Sequence, residues 1–294
     1  MDKITTSRRA VLASIAAAAL RPGPLKGATA GNRSLVCIRL VCDTGFSMLA
    51  PGGLAGGSCT VTSALSRQRI ALQPGLAETG QLFESRCVAL VEETAAVDPE
   101  RGFVPEGFTA PAWMLRAAGA SITDPRHAFG FRSGLLMLAP EETGTLLEDP
   151  RLLAQASRGN FAFPDTLIGR QLRQVAGLLA GDGGPRHFVA SLGATPTVGG
   201  MAEQAAARMS QLGAALAAFE AATRTTGMAY DVTAFTEPDL RDAAGRRLRL
   251  IMGGRVLGGE LYQRDGVEVD GVLAEWAGQA NAVAATPSRA RFLY

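Results

Sequence analysis

Histidine is almost missing from this chain: there are two in 294 residues, His127 and His187. Imidazole is the commonest metal-ligating side chain and the usual general base near neutral pH. So small a supply leaves little from which to build a histidine metal centre, and nothing in the spacing of these two supports one. Cysteine is scarce as well, with four residues at 37, 42, 59 and 87, all in the first third. No C-x-x-C spacing occurs, which removes the usual thiolate metal motifs. Cys37 and Cys42 fall on one predicted strand, five residues apart, so their side chains face opposite ways. Two readings stay open for the four: buried thiols, or one disulfide such as Cys42 to Cys59. No basic stripe interleaved with aromatics is present, so the chain carries no nucleic-acid footprint. The Gly-rich stretch PGGLAGGS (51–58) matches neither G-x-x-x-x-G-K-[ST] nor G-x-G-x-x-G. It reads as a loop and not as a phosphate cradle. Internal repeats and heptad runs are absent too.

What is present describes a protein with a core. Hydrophobic residues make up 47% and charged residues 19%, and the formal net charge is +2. The chain is long enough for one large α/β domain. At the start, TTSRRAVLASIAAAAL pairs Arg8 and Arg9 ahead of a short apolar run ending at Leu20. That run is shorter than the roughly 20 apolar residues a bilayer span needs. Twin arginines before a modest apolar segment predict a twin-arginine export signal over residues 1–30, with Ala28-Thr29-Ala30 as the cleavage site. The expected mature domain, 31–294, is then a folded cargo of the twin-arginine export machinery. It works in the periplasm or outside the cell and has no membrane span.

Along the mature chain, LVCIRLVC (35–42) is a near-continuous apolar run, as expected for a strand buried on both faces of a parallel sheet. A helix is predicted over 76–85 and a second interior strand at RCVALVEE. Residues 95–112, rich in Pro, Gly and acids, read as loop. An edge strand is expected within HAFGFRSGLLMLAP, and PAWMLRAAGA reads as a short helix. PDTLIGRQLRQVAGLLAG reads as a helix begun by Pro164 and ended by Gly181, with one apolar face. HFVASLG is a strand, and the long Ala-rich segment after it is a helix with Met209, Leu212, Leu216 and Phe219 as its buried stripe. AYDVTAF and LRLIMGG are strands, LGGELY a short extension, and GVLAEWAGQA a last helix. Strands alternating with helices imply a mostly parallel sheet between helical layers, with ligand-binding loops at the strands' carboxyl ends.

Five ordered blocks, PDTLIGRQLRQVAGLLAG, HFVASLGATPT, QLGAALAAF, DVTAFTEPDLRD and LIMGGRVLGGELY, resemble a bacterial twin-arginine-exported family catalogued as domain of unknown function 1501. That family is similar to the alkaline phosphatase and sulfatase superfamily. The resemblance implies an alkaline-phosphatase-like α/β fold and a metal centre at the strand ends, where a divalent ion polarises a phosphate or sulfate ester. The chain departs from the family's pattern where the metal ligands belong. After Leu192 it reads Gly193-Ala194-Thr195-Pro196-Thr197 in place of G-G-F-D-T-H, and the later T-D-H-G loop has shrunk to Asp242-Ala243-Ala244-Gly245.

The expected site residues follow from these strand-end loops. Asp43, after the first strand, is the first candidate, either as a metal-binding or catalytic carboxylate or as a loop Asp making local hydrogen bonds. Ser47, and Thr44 beside it, offer hydroxyl nucleophiles that are weak without a base or metal. Glu237, Asp239 and Arg241 form an acidic–acidic–basic group at another strand end. They either orient a ligand, with Arg241 gripping an anion, or brace the loop around Pro238. The expected function is that of a metal-site-deficient, alkaline-phosphatase-like protein that binds a ligand or an envelope partner, with no cofactor. The alternative is a phosphate- or sulfate-ester hydrolase with an altered site using zinc, calcium or manganese.

Overall fold

The computed structural model describes residues 34–41, 59–72, 75–94, 101–104, 108–111, 135–137, 154–157, 159–181, 187–192, 201–237, 246–253 and 256–265, together with Val269 and Leu273. The backbone alternates between strands and helices. In chain order the elements are β1 (Ser34–Val41), β2 (Cys59–Thr62), β3 (Arg69–Leu72), α1 (Ala77–Glu84), β4 (Val88–Thr94), β5 (Arg101–Val104), β6 (Phe108–Pro111) and β7 (Leu135–Met137). They continue with α2 (Leu167–Leu179), β8 (His187–Leu192), α3 (Met201–Thr226), β9 (Tyr230–Glu237), β10 (Arg246–Gly253) and β11 (Leu261–Asp265).

One seven-stranded sheet, ordered β11-β4-β10-β9-β1-β8-β7, forms the centre. Strand β1 lies between β8 and β9 and is parallel to both, while β7 is parallel to β8 and β11 to β4. Only β10 runs against its neighbours. This is an α/β architecture with a mostly parallel sheet. The edge strand expected before residue 140 is present as β7.

Three sequence expectations are corrected. Residues 95–112 were expected as loop, but β5 and β6 pair there as an antiparallel hairpin. LGGELY was expected as a short extension, but its last residues begin β11, an edge strand in register with β4 from Leu261 opposite Leu90. The third correction concerns direction. A parallel crossover needs about a dozen residues or more, and the connection 238–245 is too short for one. Strand β10 therefore folds back antiparallel on β9, and the glycines after it emerge at the opposite end of the sheet. The alternation of strand and helix stops at β9.

Helices cover one face of the sheet. Helix α2 starts at an N-cap Thr166, two residues past the expected Pro164, because the threonine hydroxyl accepts the amide of Gly169 at 3.1 Å. Its apolar stripe of Ile168, Leu172 and Val175 meets that of α3, where Met209, Leu212, Leu216 and Phe219 are all fully buried, as the periodicity predicts. Helix α1 approaches α3 closely at Gly213, where a Cβ would sit 3.0 Å from the Thr79 amide. Beneath the helices the sheet presents Val36, Ile38, Leu40, Phe188, Ala190, Leu192, Val232, Ala234, Leu248, Leu250 and Met252, an unbroken apolar surface. Full burial of one such side chain stabilises by about 1.5–3 kcal/mol.

Two polar braces tie loops to the amino end of the sheet. The Glu260 carboxylate accepts the amides of Leu65 (3.0 Å) and Ser66 (3.1 Å), the Ser66 hydroxyl (2.6 Å) and the Ser63 hydroxyl, and so clamps the β2–β3 turn. Burial alone would raise this carboxyl, but the four hydrogen bonds outweigh it and hold the group below the ordinary glutamate range. Near the end of α3, Glu220 accepts the Tyr230 hydroxyl and an Arg224 N–H (2.5 Å), which anchors the helix to the start of β9. Burial, then the neighbouring Glu220 charge, pushes the Tyr230 hydroxyl well above its ordinary value. The Tyr230 ring also meets Phe219 edge-on, with centroids 5.1 Å apart. Cys37, Cys59 and Cys87 are thiols, not half-cystines. Cys59 thus does not make the disulfide to Cys42 left open by the sequence.

Candidate functional site

Parallel registration brings three strand ends level. Leu40 stands opposite Leu192 of β8, and Val41 stands opposite Glu237 of β9. The carboxyl ends of β1, β8 and β9 therefore stand side by side, which is where α/β proteins form their binding crevices. Of the expected site residues, Glu237 is placed as the last residue of β9, beside Val41. Asp43, Thr44, Ser47, Asp239 and Arg241 lie outside the described residues. Asp43 is two positions beyond Val41 and Asp239 two beyond Glu237, so the register starts their loops from adjacent, level strand ends. His187 opens β8 at the other end of the sheet, opposite Leu35, and His127 is outside the described residues.

The structure adds residues that sequence reasoning passed over. Strand alternation sends Cys37 and Arg39 of β1, Val189 and Ser191 of β8, Asp231 and Thr233 of β9, and Arg249 and Ile251 of β10 to the face away from α2 and α3. This face is buried but polar. Arg39 is 5% exposed, Ser191 1%, Thr233 0%, Arg249 3% and Glu93 0%. Such burial is costly unless each group is engaged, and a charged group costs the most.

Arg39 and Ser191 are cross-strand neighbours, and an Arg39 guanidinium N–H donates to the Ser191 hydroxyl at 3.3 Å. The Ser191 amide donates to the Gln171 side-chain oxygen of α2 at 2.8 Å. Strand β7 ends opposite Val189, so Gln171 takes the place of a strand partner and fixes the end of β8. Two strands away, Arg249 of β10 and Glu93 of β4 form an ion pair at 2.7 Å, diagonal across the sheet. Thr233 sits between Cys37 and Ile251 in the register, fully buried, and its hydroxyl has no hydrogen-bond partner.

All of these except Thr233, which is at mid-strand, lie toward the carboxyl ends of the parallel strands; Arg249 joins them because β10 runs the other way. Arg39 and Ser191 thus form a polar pair near the carboxyl ends of the central strands, with Thr233 further back on β9. The signal for it was visible in the sequence: an arginine inside the otherwise apolar LVCIRLVC, and another inside LRLIMGG. Among families of known proteins, curated proteins and solved structures, none matches this chain.

Proposed function

We propose that this is an exported, alkaline-phosphatase-like protein of the family catalogued as domain of unknown function 1501, and that it binds a ligand or an envelope partner instead of hydrolysing an ester. The site is the carboxyl end of strands β9, β1 and β8. The observation that carries the reading is the donor set at that end. The position following β8 supplies Gly193-Ala194-Thr195-Pro196-Thr197, with no carboxylate and no imidazole. Just before it stand the Ser191 hydroxyl and the buried Arg39 guanidinium. A divalent ion wants four or more anionic or neutral donors. The segment after β8 thus lacks the donors a divalent metal wants, whereas a guanidinium beside a hydroxyl suits an anionic or hydrogen-bond-accepting ligand. The paired Arg8 and Arg9 ahead of a short apolar run support a site of action in the periplasm or beyond.

One observation favours the second reading, a metal-dependent phosphate- or sulfate-ester hydrolase. Asp43 and Asp239 follow strand ends that are level and adjacent, which is how two carboxylates come to share an ion. Hydrolysis of a generic aryl phosphate and aryl sulfate separates the two readings. The binding reading expects no turnover above background and no difference on Asp43→Ala. Turnover abolished by a chelator and by Asp43→Ala would establish the hydrolase.

A further inference from the structure

We draw no further inference here: the strongest candidate, the side-chain cluster of Cys87, Glu220, Arg224 and Tyr230 where the end of α3 meets the starts of β4 and β9, belongs to the brace already described and rests on a single half-buried thiol, with nothing in the structure to say what it would bind.

Discussion

The two faces of the central sheet are built by the same strands and share one register, yet they differ in chemistry. Under α2 and α3 the side chains that β1, β8, β9 and β10 bury in the core are apolar, with polar exceptions at Ser34, at Glu92 of β4 and at the exposed Gln263 of the edge strand β11. On the other face Arg39, Ser191, Asp231, Thr233, Arg249 and Glu93 are buried among Leu35, Val189, Ile251, Ala89 and Val91. Both faces are closed to water, so burial alone does not separate them. The helical face is what stability requires. The polar face costs stability, since apolar replacements of a buried ion pair are often neutral or better. Charges kept under that cost mark the face on which function is to be sought.

The contrast can be broken most severely at the buried pair. Glu93→Gln or Arg249→Met alone should lower the unfolding free energy by about 3–5 kcal/mol, because each breaks a buried ion pair by removing one partner. The double change Glu93→Leu with Arg249→Met should restore most of that loss. On the apolar face Leu250→Ala should cost about 2–5 kcal/mol, and no second substitution of a charge can restore it. Urea unfolding of the four variants reads all of this. If the double variant is as damaged as the singles, the pair is part of the packing and the distinction between the faces fails.

A smaller effect sharpens the comparison between the sheet and its bracing loops. The Glu260 carboxyl is held below its unfolded value of about 4.3. Its contribution is therefore complete above that pH and is lost as pH falls through the lower, folded value. Glu260→Gln should cost on the order of 1–2 kcal/mol at pH 7, and the gap from wild type should close as both are acidified below about pH 4. A gap that stays constant down to pH 3 would show that the clamp on Ser63, Ser66 and the β2–β3 turn does not depend on charge.

Much of the architecture was legible in the chain because its signals are local. The runs 35–42 and 187–192 announced buried strands, and the 3.6-residue spacing of Met209, Leu212, Leu216 and Phe219 announced the face of α3. What escaped depends on pairing partners. Nothing local distinguishes a β10 that reverses from one that crosses over, apart from the shortness of 238–245. Nor does the composition of 95–112 reveal that two tetrapeptides pair. The site was legible only as strand-end loops, and of its expected residues the structure places Glu237 alone. Arg39 and Arg249 were in plain view but were absorbed into apolar runs. Their significance rests on Ser191, Gln171 and Glu93, which are distant in sequence. Thr233 could not have been chosen at all, because a threonine in a strand is ordinary until its hydroxyl is found without a partner.

The account turns on whether the carboxyl end of β9, β1 and β8 is a cation site or an anion site. The most direct test is elemental analysis of the protein purified from the periplasm, without added metal and without chelator. The account predicts zinc, calcium and manganese all well below one per chain, unchanged in Asp43→Ala. One equivalent of any of them, lost on Asp43→Ala, would contradict it.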